Sequence, residues 1–176
     1  MLHYVEMKLT MRRRAFLISL IGVGSTIAIT YKLFGRNKVV STGKIAKVNK
    51  SDAQWREILT KEQFDILREA GTEPPFSSPL NEETRAGTYV CAGCALPLFT
   101  SQMKYNSGTG WPSFYTSIEG HLETKTDYKL ILPRTEYHCT RCNGHQGHVF
   151  NDGPEPTGQR WCNNGLALQF IPKQSS

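Results

Sequence analysis

The chain has 176 residues, with 21 Lys and Arg against 15 Asp and Glu, for a formal net charge of +6. That length holds one domain of ordinary size with or without a tail, and 39% apolar and 10% aromatic residues supply a core, which excludes wholesale disorder. A basic chain points first to a nucleic-acid partner, but the charge is unevenly placed. Residues 1–50 hold ten Lys and Arg and one acid (+9), whereas residues 51–176 hold eleven against fourteen (−3). The basic character belongs to the tail, and no nucleic-acid partner is expected.

Residues 1–34 read as an address. Arg12, Arg13 and Arg14 precede Ala15-Phe16-Leu17 and an uncharged run to Tyr31, the pattern of a secretory signal or N-terminal anchor. Arg13-Arg14-Ala15-Phe16-Leu17 also resembles the twin-arginine export motif, which a receptor reads. As a helix, residues 15–31 would be about 25 Å long, at the short end for a hydrocarbon core about 30 Å thick. A cleaved signal and an uncleaved membrane anchor both fit, and the best small-x-small site, Thr26-Ile27-Ala28, lies inside the apolar run. A buried core helix is the competing reading, which the arginines oppose. Residues 35–50 carry Lys38, Lys44, Lys47 and Lys50 with little periodic hydrophobicity, a basic linker able to lie on anionic lipid. The expected localisation is extracytoplasmic, in a periplasm or lumen.

The domain is placed at residues 51–176. Ser51 or Asp52 caps a short helix through Leu59, with Trp55, Ile58 and Leu59 at helical spacing. Thr60 and Gln63 form a capping box for a second helix with Phe64 and Leu67 on one face, and Gly71 is placed to end it. Glu73-Pro74-Pro75-Phe76 breaks the pattern. Short strand-like runs follow at Thr88–Val90, Tyr128–Leu132, Glu136–Cys139, His148–Phe150 and Leu166–Ile171, separated by Gly, Pro, Asn and Asp. The expected fold is two short helices followed by a mostly β, antiparallel domain.

Five cysteines cannot all pair. Cys91-Ala92-Gly93-Cys94 and Cys139-Thr140-Arg141-Cys142 are two C-x2-C knuckles, whose four thiolates complete a closed tetrahedral zinc site. Gly93 suits the turn. With four protein ligands the site is structural, because no position remains for water or substrate. Structural or redox-active disulfides are the competing reading outside the cytosol. Cys162 is left over. An unpaired Cys is commonly a small buried hydrophobe, but Gly144-His145-Gln146-Gly147-His148 lies upstream, and a nucleophilic thiol needs a neighbour that manages protons. His145 and His148 also have the spacing of ligands for a second metal. Gly108-Thr109-Gly110-Trp111-Pro112-Ser113-Phe114 offers either core aromatics or a rigid platform, whose glycines would let backbone approach a substrate closely. An aromatic face suits an S-methyl group.

At these residues the sequence resembles the B-type methionine-R-sulfoxide reductases, from about Trp55 to Pro172. The segments that carry the resemblance are Gly71-Thr72-Glu73-Pro74-Pro75-Phe76-Ser77, both knuckles, Ser107 to Phe114, Gly147-His148-Val149-Phe150, Asp152-Gly153-Pro154, Thr157-Gly158 and Arg160-Trp161-Cys162-Asn163-Asn164. The resemblance implies two antiparallel sheets in a β-tent-like fold, with one structural Zn2+ on Cys91, Cys94, Cys139 and Cys142. It implies Cys162 as the nucleophile that attacks the sulfoxide sulfur, giving methionine and a Cys162 sulfenic acid. His145, His148 and Asn164 would orient and protonate the departing oxygen, worth roughly 10²–10⁴ in rate. Trp111 would receive the ε-methyl group with Phe150 beside it, and Asp152 and Arg160 would support the Cys162 strand. Oxidised proteins would be the substrates and a thioredoxin-like or small thiol the reductant, with the enzyme a monomer.

Three positions depart from the family pattern. Thr109 stands where many members carry a recycling Cys, so an external thiol must reduce the sulfenic acid. Gly165 replaces a usual Ser, and Gln146 a usual aliphatic residue. Export bears on the thiols: a twin-arginine route carries folded cargo, so zinc would load before the cysteines met an oxidising compartment. Met103 is the only Met after residue 11, which suits exposure to oxidants. Two other classes remain at this point, a zinc-stabilised β module that binds a ligand through Trp111 and Phe114 without chemistry, and a disulfide oxidoreductase using one knuckle.

Overall fold

Two capping boxes start the fold. Ser51 Oγ accepts from the Gln54 backbone N–H while the Gln54 side chain accepts from that of Ser51, and this box caps α1 (Asp52–Ile58). Thr60 and Gln63 repeat the exchange at α2 (Lys61–Glu69). The computed structural model describes residues 44–130 and 132–174, within the unit Thr42–Ser176. The expected address over 1–34 and the linker up to residue 43 lie outside the described residues. Among the described residues no helix is long and apolar enough to cross a membrane.

Trp55, Phe64, Ile66 and Leu67 are buried, but Ile58 faces solvent, so only part of the expected α1 stripe is a core face. Helix α2 ends one residue before the expected glycine: Ala70 takes the left-handed conformation (φ 53°), and the Gly71 N–H then closes on the Asp65 carbonyl.

The rest is two antiparallel sheets. The first has the order β2 (Pro97–Thr100), β1 (Gly87–Cys91), β9 (Leu168–Pro172). The second has the order β3 (Lys104–Tyr105), β4 (Ser113–Phe114), β8 (Arg160–Asn163), β7 (His145–Phe150), β6 (Arg134–Cys139), β5 (Leu122–Asp127). An aromatic core joins them. Phe99 of β2 stacks on Phe114 of β4 at 3.9 Å and meets Tyr137 of β6 edge-on at 6.3 Å, and Tyr89 of β1 meets Phe114 edge-on at 5.0 Å. Each such pair adds about 0.5–1.5 kcal/mol beyond burial.

Two strand expectations shift. The run Tyr128–Leu132 is not a strand. β5 ends at Asp127, whose Oδ1 accepts the Lys129 N–H and turns the chain, leaving Tyr128, Leu130 and Leu132 exposed. β5 itself is a polar edge strand, which an apolar criterion passes over. The run Leu166–Ile171 becomes strand only from Leu168, because Gly165–Ala167 form a 3₁₀ turn whose first two N–H groups donate to the Glu73 carboxylate.

Gly165 has no room for a side chain, since a Cβ there would overlap the Ser78 side chain. Gly165→Ser is therefore expected to destabilise the domain by about 1–3 kcal/mol in chemical denaturation, and Ser78→Gly in the same chain should recover most of that loss. Equal losses with and without Ser78→Gly would show that the overlap is not the cause.

Candidate active site and thiol cluster

The thiol cluster forms where the two sheets end. Cys91 closes β1 and Cys139 closes β6. Each knuckle turns back in the same way: Ala95 N–H donates to the Cys91 carbonyl and Asn143 N–H to the Cys139 carbonyl, both at 2.8 Å, with Ala95 (φ 57°) and Asn143 (φ 61°) left-handed. The residue after each second Cys makes the turn, and Gly93, expected to do so, is not left-handed. Gly93 instead packs beneath Trp55 and Leu67.

The four sulfurs lie within 4.8 Å of one another. Cys91 Sγ is 3.6 Å from Cys142 Sγ and Cys94 Sγ is 3.5 Å from Cys139 Sγ, so the close pairs run between knuckles. A tetrahedral ion with bonds of about 2.3 Å needs sulfurs about 3.8 Å apart, which this set matches. Disulfides would need about 2.05 Å, and all five cysteines are free thiols. Mutual hydrogen bonds hold Cys94 and Cys139 below the ordinary thiol range and push Cys91 and Cys142 above it. Four converging sulfurs form a donor set that a soft dication would complete. Arg141 and Arg68 cap the cluster, donating to the carbonyls of Cys94 and Cys142. The Gln146 side chain donates to Cys91 Sγ at 3.4 Å.

Cys162 lies on β8, opposite Ser113 of β4 and His148 of β7. It borders a cavity of about 110 Å³, lined by Thr72, Trp111, Arg134, Gly147, His148, Phe150, Asn163 and Asn164. Burial pushes the Cys162 thiol up, opposed by the Arg160 charge and by hydrogen bonds from Thr109 and Arg160. Of the residues singled out in the sequence, Cys162, His148, Asn164, Trp111 and Phe150 meet at this cavity. His145 does not border it; its ring lies 5.4 Å from that of His148 and is buried. Phe114 is core, in the stack with Phe99.

Each histidine is tethered by a carboxylate that sequence reading did not single out. His148 Nε2 lies 2.8 Å from Asp127 Oδ2, and His145 Nδ1 lies 2.9 Å from Glu136 Oε1. Burial lowers both imidazole pKa values against these bonds, favouring neutral rings at neutral pH. Asp127 also accepts from Lys129 N–H and Arg134, and these bonds hold its carboxyl well below the usual carboxylate range. His145 and His148 thus each bond to a carboxylate, and among the described residues the four cysteines are the one group gathered as metal ligands. Local sequence gives no sign of these tethers. They come from the order of the sheet, where β5, β6 and β7 lie side by side and bring Asp127 of β5 to His148 and Glu136 of β6 to His145.

Glu73, read in the sequence only as part of a breaker, organises the opposite wall. Its carbonyl accepts from Trp111 Nε1 (3.1 Å), its N–H donates to Asn164 Oδ1 (3.1 Å), and its buried carboxylate accepts from Gly165 and Leu166 N–H. Asn164 Nδ2 also donates to the Gln146 carbonyl at 3.1 Å, which leaves one amide hydrogen for a ligand. Of the glycines beside Thr109, Gly110 (φ 94°) serves the chain itself, pressing against Pro75 and Phe76 while its carbonyl accepts from Phe76 N–H; Gly108 (φ 72°) faces open space. Asp152 and Arg160 form the expected pair, bidentate at 2.8 and 2.9 Å, with the guanidinium 4.3 Å over the Phe150 ring.

A domain of this kind is known. The SelR domain matches residues 59–172. Curated peptide methionine sulfoxide reductases MsrB are similar to the chain throughout this region. The one from Leptospira interrogans is 50% identical over 125 residues, 70% of this chain and 95% of that protein. Those from Agrobacterium fabrum (51% over 127 residues, 72% and 94%) and Methanosarcina mazei (46% over 131 residues, 74% and 94%) agree. The chain belongs to the SelR family of B-type methionine sulfoxide reductases.

The Asp127 tether carries a pH signature. Its carboxyl is depressed in the folded state, so its contribution is full above the unfolded carboxylate pKa, near 4, and is lost as pH falls further. Asp127→Asn is expected to cost about 1–3 kcal/mol at pH 7, with the gap from wild type narrowing below pH 4. A gap that stays constant from pH 7 to pH 3 would remove the carboxylate from the explanation.

Proposed function

We propose that the domain reduces the R epimer of methionine sulfoxide, chiefly in oxidised proteins, with Cys162 as nucleophile. The observation that carries this reading is the placement of the Cys162 sulfur in a small cavity walled by Trp111, Phe150, His148 and Asn164. Trp111 and Phe150 offer apolar faces to the S-methyl group. The Cys162 thiolate attacks the sulfoxide sulfur while the free Asn164 amide hydrogen donates to the oxygen. His148, whose Nε2–H is committed to the Asp127 carboxylate, donates through Nδ1 as the imidazolium that Asp127 stabilises, with His145 supporting it from behind. Proton delivery makes the oxygen a competent leaving group. The oxygen departs as water once two protons have reached it, leaving Cys162 and the substrate joined by an S–S bond. A water then attacks the Cys162 sulfur and breaks that bond, so methionine is released, one proton is returned and Cys162 ends as a sulfenic acid. The substrate sulfur has then gained two electrons and the cysteine sulfur has lost them. Asp152 fixes Arg160, which keeps Phe150 and the β8 strand in place.

Recycling is external. Thr109 occupies the position of the recycling Cys, and the other four cysteines lie in the cluster. Two equivalents of a small or thioredoxin-like thiol return Cys162 to the thiol, releasing water and a disulfide. Cys91, Cys94, Cys139 and Cys142 would hold zinc, which in a closed four-thiolate site supplies fold stability.

With both sulfoxide epimers of a methionine derivative and dithiothreitol, only the R epimer is expected to disappear. Cys162→Ser should abolish turnover with zinc content unchanged. After one turnover without reductant, Cys162 should react with a sulfenic-acid probe and form no intrachain disulfide. Loss of both epimers at equal rates, or of neither, would defeat the reading, and a Cys162 disulfide to a cluster cysteine would defeat the recycling scheme.

For residues 1–34 the proposal is export by a twin-arginine route, supported by Arg13-Arg14-Ala15-Phe16-Leu17 and the apolar run after it. Replacing Arg13 and Arg14 by Lys in the full chain should leave the protein in the cytoplasmic fraction. Unchanged extracytoplasmic recovery would exclude that route.

A further inference from the structure

The ladder between β6 and β7 slips at one residue. Tyr137 pairs with Gly147 and His138 with His145, so Gln146 between them has no partner on β6. A bulge of this kind frees a residue from the ladder and re-aims its side chain. The Gln146 side chain is fully buried, with Nε2 3.4 Å from Cys91 Sγ and 3.5 Å from the Gly144 carbonyl. Both neighbours are acceptors, which fixes the orientation of the amide. Reversed, it would set its oxygen against a sulfur and a carbonyl. Its own oxygen, Oε1, is buried with no hydrogen-bond partner among the described residues.

A buried amide with an orphaned carbonyl is a cost to the fold. An aliphatic side chain of similar size would avoid it, so whatever the amide contributes comes from its nitrogen. The Gly144 carbonyl already accepts the Cys139 N–H at 3.0 Å, and its contact with Gln146 is at the outer limit of an N–H···O bond. Cys91 is the partner that remains. It is fully buried, and four thiolates on one dication leave negative charge in excess that water cannot reach there. Arg141 and Arg68 approach the cluster but donate to backbone carbonyls. Among the described residues, Gln146 is the one side chain whose nitrogen donates to a cluster sulfur. A thiolate is the strong form of that acceptor.

We propose that Gln146 is a positioning residue of the thiol cluster, whose amide holds the Cys91 sulfur as a metal-bound thiolate and tightens the hold of the cluster on its ion. This role rests on the reading that Cys91, Cys94, Cys139 and Cys142 bind zinc. The peptide of the same residue serves the active-site wall: its carbonyl accepts from Asn164 N–H at 2.9 Å and Asn164 Nδ2 at 3.1 Å. Any residue at this position keeps that carbonyl, so a side-chain substitution addresses the sulfur bond.

The test is competition for zinc between the full-length, zinc-loaded protein and a chromophoric chelator. The cobalt-substituted protein is read in parallel by its sulfur-to-cobalt charge-transfer band. Gln146→Leu and Gln146→Ile fill the space without a donor. Both should bind zinc about tenfold more weakly than wild type, the scale of losing an outer hydrogen bond to a metal ligand. In both, the charge-transfer band should move to longer wavelength, because a thiolate without its hydrogen bond gives up electron density more readily. Altered packing alone would leave the band in place. Zinc affinity equal to wild type in either variant, or weaker binding with the band unmoved, would overturn the inference. If one variant does not fold, the other carries the test alone. A wild-type protein that takes up no zinc would remove the zinc reading and this inference with it, whereas a loaded wild type with unaffected variants removes the role of Gln146 alone.

Discussion

Four sulfurs that must meet at one point decide how the two sheets lie. One knuckle ends a strand of the three-stranded sheet and the other a strand of the six-stranded sheet, so the cluster clamps the sheets at one end while the aromatic stack of Tyr89, Phe99 and Phe114 fills the space between them. The helices follow from the same constraint. Trp55 and Leu67 lie against the knuckle glycine Gly93, and Arg68 reaches the Cys142 carbonyl. Local capping starts α1 and α2, but what they cover is the cluster.

The six-stranded sheet then delivers the chemistry. Its central strands β7 and β8 run so close that a side chain at Gly147 would meet the Cys162 backbone. That approach sets His148 directly across from Cys162. Behind them β6 and β5 supply Glu136 and Asp127, which compensate for the burial of two imidazoles with charge-assisted hydrogen bonds. Lacking such partners, buried histidines in adjacent positions would be free to rotate and exchange tautomers. The tethers fix which ring nitrogen faces which neighbour.

What was legible in the sequence is what local chemistry specifies. Capping residues, paired cysteines, a lone cysteine near histidines and an aromatic-glycine loop each carry their signal within a few residues, and each led to an element or side chain at or near its expected place. What was not legible depends on strand register or on distant backbone. β5 has polar exposed residues along an edge, so hydrophobic patterning put a strand after it, at Tyr128–Leu132, where Asp127 turns the chain. Asp127 and Glu136 are ordinary acids until the order of the sheet sets them beside histidines. Glu73 sits in a breaker and acquires its role only from residues about ninety positions away. The left-handed residues Ala70, Ala95 and Asn143 are a further case: the chain made its turns there although glycines stood one or two residues away at Gly71, Gly93 and Gly144.

Glu73 has a consequence for how the molecule fails. The same residue holds the indole of Trp111, the side chain of Asn164 and the turn that follows it. One residue is thus the common anchor of three parts of the cavity wall. A local opening that frees Glu73 loosens the indole, the asparagine and the turn together, so this wall is lost and regained as one unit rather than piece by piece.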